Sequence, residues 1–187
     1  MQLILASGSP RRRELMGVFG QPFVIRAADI DETMDPAKPP FDEAARVSAL
    51  KAQAVPREPD DVVVAADTIV VCGGQVLGKP KTADRAAEML TLLSGRDHQV
   101  MTGCTVLRGD RQETFTEVTT LHFRPLTPGE IRRYAESGEP LDKAGAYGIQ
   151  GLGAVLVAGI RGDYSNVVGL PIPLLAEMLR DFGIDAL

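Results

Sequence analysis

Apolar and polar positions alternate along this chain in a way that predicts a mixture of strands and helices. Residues 3–6 form a short apolar run that reads as a buried strand. Glu14, Leu15, Met16, Val18 and Phe19 then predict an amphipathic helix stopped at Gly20, with Ser9 as its N-cap and Pro10 at its first position. A proline-rich, charged loop over 35–40 precedes a second helix over 41–54. Its apolar positions are Phe41, Ala45, Val47, Leu50 and Ala54, and Lys51 lies near its end. The continuous apolar run at 62–66 reads as a central strand. Residues 69–72 and 75–77 flank Gly73-Gly74 as a hairpin.

Thr82 caps a helix over 83–93, closed by Gly95, and two long strands over 98–107 and 112–123 meet at Gly109-Asp110. Thr127-Pro128-Gly129-Glu130 has the form of a capping box and starts a helix to about Glu136. A buried strand over 154–160 and a last helix over 171–182, closed by Gly183, complete the pattern. Strands and helices do not alternate strictly. The expected fold class is therefore α/β with a mixed twisted sheet, rather than a regular doubly wound one.

The chain has 187 residues, 44% hydrophobic, with a net charge of −5. That suits a single domain over 1–187, of two lobes, with a real core. The acidic balance argues against a broad nucleic-acid footprint, and 5% aromatic residues without tryptophan leave little for stacking single-stranded bases. No apolar run is long enough for a membrane span, and no signal-peptide pattern is present. The expected location is the cytoplasm, with Cys72 and Cys104 as free, packed thiols.

The candidate chemistry starts at Ser7-Gly8-Ser9-Pro10-Arg11-Arg12-Arg13. Three arginines in a first helical turn oppose the helix dipole, which favours carboxylates there. An arriving anion reverses that penalty, since hydroxyls, free N–H groups and guanidinium groups are what a phosphate chain needs. The plain alternative is a capped helix with solvated arginines. Gly73 to Lys79 nearly spells a P-loop, but Pro80 takes the place of the hydroxyl residue and the context is a hairpin, so it is rejected. Lys79 is either a point charge for a phosphate or an exposed lysine after a turn.

Asp67 follows five apolar residues at the end of the most apolar strand. Such an aspartate binds a metal, caps a turn through Thr68, or serves as a base. Asp29, Asp31 and Glu32 are either a solvated acidic loop or carboxylates for Mg²⁺, which accepts few carboxylates together with water and phosphate oxygens. Residues 141–151 are glycine-rich and bring backbone and Gln150 close to a ligand, or serve turns alone. His98 and His122 have no metal spacing and read as structural or exposed.

Taken together, Leu5-Ala6-Ser7-Gly8-Ser9-Pro10-Arg11-Arg12, Asp31-Glu32, Lys51-Ala52, Ala66-Asp67-Thr68, Gly78-Lys79-Pro80, Ser94-Gly95 with His98 and Val100, the run from Glu139 to Gly151, and Val168-Gly169-Leu170-Pro171 resemble the Maf family of nucleoside triphosphate pyrophosphatases. The match runs in order along almost the whole chain. The resemblance implies an inosine triphosphatase-like (Maf) fold of two lobes with a central cleft. It also implies hydrolysis between the α- and β-phosphates with a divalent metal, Mg²⁺ or Mn²⁺.

It assigns substrate binding to Ser7, Arg11, Arg12, Lys51 and Lys79, the metal to Glu32 and Asp67, and proton acceptance to Asp67. Arg13 lies outside the shared pattern, and Ala49-Leu50 departs from a charged pair usual before the lysine. Arg12, Thr68 and Gln150 occupy the positions that set base choice and resemble the dTTP/UTP-specific branch. A Gln amide answers both the donor and the acceptors of a thymine or uracil edge, whereas the 7-methyl-GTP branch carries an aromatic, a Gln and a Glu. The implied role is cleansing of the nucleotide pool, extending to modified pyrimidine nucleotides, with a link to septum formation and cell-division arrest. The expected partners are the triphosphate and a second copy in a homodimer, with no nucleic acid and no membrane. The rival expectation is a non-catalytic, nucleotide-binding regulatory module.

Overall fold

The structure, a computed structural model, describes residues 1–185. Its elements in chain order are β1 (Leu3–Leu5), α1 (Pro10–Gly17), β2 (Phe23–Ile25), α2 (Pro40–Ala54), β3 (Val62–Cys72), β4 (Gln75–Leu77), α3 (Ala83–Leu93), β5 (Asp97–Arg108), β6 (Arg111–Phe123), α4 (Pro128–Glu136), β7 (Val157–Arg161), α5 (Tyr164–Val168) and α6 (Ile172–Asp181). Three 3₁₀ turns, Glu139–Asp142, Ala144–Ala146 and Gly151–Leu156, separate α4 from β7. The strands form one sheet in the order β2-β1-β3-β5-β6-β7, with β4 also paired to β3. β1 runs parallel to both β2 and β3, while β3–β4 and β6–β7 are antiparallel. The expected mixed α/β class is what the chain adopts.

The chain divides into two compact units. The first comprises Met1–Asp67, Thr102–Glu117 and the chain from Gly169 onward; the second comprises Thr68–Met101 and Val118–Val168. In the first unit, strand alternation sends side chains to two cores. Leu3, Leu5, Val62, Val64 and Ala66 pack with Met16 of α1 and with Leu175, Met178 and Leu179 of α6. Ile4, Ala6, Val63 and Ala65 face the other way and pack with Ala52 of α2 and Val55. Both faces are covered, which explains why β3 reads as one unbroken apolar run. In the second unit α3 and α4 cover one core through Ala86, Leu90, Leu93, Ile131 and Tyr134, joined by Phe123, Tyr147 and Leu156.

Several expectations need correction. α1 ends at Gly17, not Gly20, and Met16 is its one buried residue, so it is scarcely amphipathic. α2 turns a different face inward than its large apolar residues suggest. Glu43, Ala44, Val47, Ser48 and Ala52 are buried, while Phe41 and Leu50 are exposed. The reason is close packing on β5: a Cβ at Gly103 would lie 2.1 Å from the Ala44 carbonyl oxygen. Small residues permit that approach and large ones do not.

β3 does not stop at Ala66 but runs through to Cys72, so Asp67 lies in mid-strand rather than at a strand end. The β-branched residues Thr68, Ile69, Val70 and Val71 sustain it. The expected buried strand over 154–160 is instead a 3₁₀ turn followed by β7, whose residues are mostly exposed because it is the last strand of the sheet. α5 had no counterpart in the sequence pattern.

Candidate functional site

Within the first unit, Ser7, Arg11, Arg12, Glu32, Lys51 and Asp67 come together. Ser7 ends the β1 segment, and its Oγ accepts hydrogen bonds from Ser9 N (3.2 Å) and Arg12 Nη1 (3.3 Å). Ser9 caps α1, with Pro10 at the first position, as the sequence suggests. Arg12 therefore leaves the first turn toward the β1 end rather than toward solvent. Its Nε donates to the Gly169 carbonyl at 2.8 Å. Gly169 has φ of +129°, a backbone region that favours glycine. Burial pushes the Arg12 guanidinium below its ordinary value, and the Asp67 charge pulls it back up, with Glu32 adding to that pull and Arg11 opposing it.

Asp67 follows Val63 and Ala65 at strand spacing and so shares the face that α2 covers. Lys51, one residue before the buried Ala52, reaches it: Nζ donates to Asp67 Oδ1 at 2.7 Å and lies 3.0 Å from Glu32 Oε2. The Lys51 and Asp67 side chains are only 12% and 10% exposed, whereas Glu32 is more than half exposed. Breaking a pair as buried as Lys51–Asp67 by removing one partner typically costs about 3–5 kcal/mol. The other Asp67 oxygen makes no hydrogen bond among the described residues.

Two carboxylates thus converge on one ammonium position, near the Arg12 guanidinium, with Arg11 next to Arg12 on α1. Among the described residues, no group of three or more His, Cys, Asp or Glu side chains forms a metal site. A pair of carboxylates still suits Mg²⁺ or Mn²⁺, which completes its shell with water and phosphate oxygens. Lys51 Nζ stands between these two carboxylates, so their negative charge faces one shared position.

Three further features of this region come from the tertiary structure. Glu43 and Arg46 form a clamp on α2: Glu43 accepts from Arg46 Nε (2.9 Å) and Nη2 (2.7 Å) and from Asp35 N (2.8 Å), and Arg46 Nη2 donates to the Thr33 carbonyl (2.8 Å). The clamp fastens the loop next to Glu32 onto the helix that carries Lys51. The Arg46 hydrogen bonds and that from Asp35 N hold the Glu43 carboxyl down to about 2. Ser48 Oγ pairs with Thr105 Oγ1 at 2.8 Å, which pairs with Thr114 Oγ1 at 2.9 Å, tying α2 to the sheet through hydroxyls. Cys104 is fully buried near Arg12, and burial pushes its thiol up to about 12. A glutamate in a first helical turn reads as a dipole partner, so the only sequence signal for the clamp was the i, i+3 spacing of Glu43 and Arg46.

The remaining expected residues divide as follows. Asp29 is exposed, and Asp31 closes a local turn by accepting from Thr33 N at 2.9 Å, so the plain reading holds for both. In the second unit, Thr68 is half-buried directly after Asp67. Lys79 is exposed beyond β4, with no ion pair among the described residues, and Gln150 is exposed at the start of the last 3₁₀ turn. His98 is buried, with Nε2 2.8 Å from the Tyr147 hydroxyl, and His122 pairs with Asp97, so both histidines are structural. Both cysteines are free and buried. Among the described residues no helix is long and apolar enough to cross a membrane. A shallow groove lined by Pro10, Arg13, Glu14, Gln21, Phe23 and Ile25 includes none of the six converging residues.

Cations beside a mid-strand aspartate, on a mixed α/β sheet, define a class of protein suited to binding a polyanion. The Maf-like protein family model matches residues 2–182, and the chain belongs to the Maf family. It is 54% identical over 190 residues to a protein of Moorella thermoacetica named dTTP/UTP pyrophosphatase, with 98% of this chain and 96% of that one covered. A protein of the same name from Symbiobacterium thermophilum is 51% identical, over 97% of this chain and 94% of its own. Among solved structures, a nucleoside-triphosphatase / dITP/XTP pyrophosphatase from Mycobacterium abscessus aligns at 14% identity with a TM-score of 0.47, over 96% of this chain and 95% of that one.

Proposed function

We propose that this chain is a nucleoside triphosphate pyrophosphatase that hydrolyses dTTP and UTP to the monophosphate and pyrophosphate. One observation carries the reading. Asp67 and Glu32 meet on Lys51 beside Arg12, in a chain half identical along nearly its whole length to proteins named dTTP/UTP pyrophosphatase. Arg11, Arg12 and Lys79 neutralise phosphoryl oxygens and the charge that builds on the departing pyrophosphate. Ser7 orients Arg12 and offers its hydroxyl to the phosphate chain. Asp67 takes a proton from the attacking water with the oxygen that Lys51 leaves open. The water oxygen bonds to the α-phosphorus as the bond to the αβ-bridging oxygen breaks.

Lys51 keeps Asp67 oriented and, once the triphosphate arrives, turns its charge to the phosphates. Glu32 and Asp67 would hold Mg²⁺ or Mn²⁺, which screens the phosphate oxygens when bound. Arg12, Thr68 and Gln150 select the base. The setting is the cytoplasm, the protein acts as a homodimer, and the role is removal of unwanted pyrimidine nucleotides from the pool.

The test is product analysis on a panel of dTTP, UTP, 5-methyl-UTP, pseudo-UTP, CTP, ATP and GTP with Mg²⁺ or Mn²⁺. Monophosphate and pyrophosphate from the thymine and uracil nucleotides are the expected products. Tight binding without turnover on every nucleotide would overturn the reading in favour of a regulatory module.

A further inference from the structure

We propose that Glu139 is a positioning residue for base selection, holding the backbone on either side of Gln150 so that its amide meets the base at one fixed origin. The inference rests on the assignment of Gln150 to base choice made above, and it adds a residue with no role in that assignment.

Glu139 begins the first 3₁₀ turn after α4, and its carboxylate is fully used. Oε1 accepts from the Tyr134 hydroxyl (2.9 Å) and from Gly153 N (2.9 Å), while Oε2 accepts from Leu152 N (3.0 Å). Tyr134 in turn accepts from Gly148 N at 3.1 Å. The segment is thus gripped two residues before Gln150 and again two and three residues after it. Both grips lead back to Tyr134 on α4, a helix stopped from fraying by the Thr127–Glu130 capping box and by the Arg124–Glu130 ion pair. Lys143 Nζ donates to the Glu139 carbonyl oxygen at 2.6 Å and closes the same network.

The glycines of the segment show how closely it is moulded. A Cβ at Gly151, where φ is +66°, would lie 2.8 Å from Glu139 Oε2. At Gly153 it would lie 2.1 Å from the Gly148 carbonyl oxygen and 2.6 Å from the Tyr134 hydroxyl, and at Gly148 2.9 Å from Lys143 Cε. Gln150 itself is spared from this work: it occupies the cap position of the last 3₁₀ turn without a side-chain cap bond, and it is exposed. A free amide on a clamped backbone is the arrangement a reader of donors and acceptors needs, because a positional error near 1 Å costs on the order of 10² in a productive geometry. Burial works to raise the Glu139 carboxyl, but the Gly153 and Leu152 N–H groups, the Tyr134 hydroxyl and Lys143 outweigh it, so the clamp stays ionised.

The experiment compares dTTP with dCTP for the wild type, Glu139→Gln, Gln150→Ala and the double variant. It reads kcat/KM and, by calorimetry, dissociation constants that do not depend on turnover. Gln at 139 keeps the shape but presents an N–H₂ to a backbone N–H. The expected result is a dTTP-over-dCTP ratio lowered about tenfold, roughly the 1.4 kcal/mol of one misplaced hydrogen bond. The loss should appear in KM for dTTP more than in kcat, and the double variant should be no less selective than Gln150→Ala alone. Tyr134→Phe should shift the ratio the same way by a smaller factor, which keeps the test open if Glu139→Gln does not fold. An equal loss on both nucleotides, or losses that add in the double variant, overturns the inference. If Gln150→Ala leaves the ratio unchanged, the assignment of Gln150 falls and the inference with it. A wild type without turnover removes the pyrophosphatase reading alone, since the binding ratios still test Glu139.

Discussion

Asp67 is a carboxylate in the middle of a strand buried at every position but Thr68, with one oxygen committed to Lys51. That oddity was readable from the chain, because an aspartate after five apolar residues is costly unless paired. Which partner it takes was not readable, since Lys51 lies sixteen residues away on α2 and only helix-on-strand packing brings it close. Asp67→Asn keeps an acceptor for Lys51 but cannot take a proton from water. It should lower kcat by about 10²–10⁴, and because the neutral amide leaves the buried Lys51 charge without its counter-ion, the melting temperature should also fall while circular dichroism keeps the wild-type signature. Steady-state pyrophosphate release checks this, and a variant retaining most of its turnover would show that the base lies elsewhere. Cys104 makes a second residue-scale prediction. Its thiol is fully buried and raised to about 12, so it should resist alkylation at pH 8 until the chain is unfolded in denaturant.

At the scale of elements, α2 decides the geometry of the converging groups. Its sequence pattern placed Phe41 and Leu50 inward, yet Ala44, Ser48 and Ala52 are the residues that face the sheet. Periodicity weighs hydrophobicity, but here closeness of approach wins, and Gly103 on β5 makes that approach possible. Gly103→Ala should cost about 1–3 kcal/mol or more by overpacking against the Ala44 backbone, and should lower activity together with the melting temperature as α2 and Lys51 shift. Arg46→Met tests the clamp on the other side of the helix. The Thr33 carbonyl loses its Arg46 donor, Glu43 keeps only the Asp35 N–H, and the loop next to Glu32 loosens. Half-maximal activation should then need about 10-fold more Mg²⁺, with a smaller change in kcat at saturating metal. A metal titration of both proteins measures it, and unchanged activation would separate the clamp from the metal.

Across the whole molecule, acid should destabilise the fold in stages. His98 is buried, and desolvation lowers its pKa from 6.5 to about 4. The unfolded imidazole takes up its proton near 6.5 and the folded one only near 4, so the unfolded state binds more protons in between. Stability is therefore complete above pH 6.5 and falls as pH drops toward 4, by on the order of 3 kcal/mol. Glu43 and Glu130, both held down to about 2 by arginine partners, extend the loss below their ordinary carboxylate range. Urea unfolding from pH 8 to pH 3 should show this decline, and His98→Gln should flatten its upper part.

The chain by itself determined the class of fold, most helices with their caps, the hairpin at Gly73-Gly74, and the charged residues out of keeping with their surroundings. These depend on local signals: periodicity, capping side chains and turn glycines. Tertiary structure alone decided that Asp67 lies within a strand, which face of α2 is buried, that β7 is an exposed edge, and which partners hold Arg12, Glu32 and the backbone around Gln150. Those outcomes depend on contacts between segments far apart in sequence, where packing distance and hydrogen-bond partners override local preference.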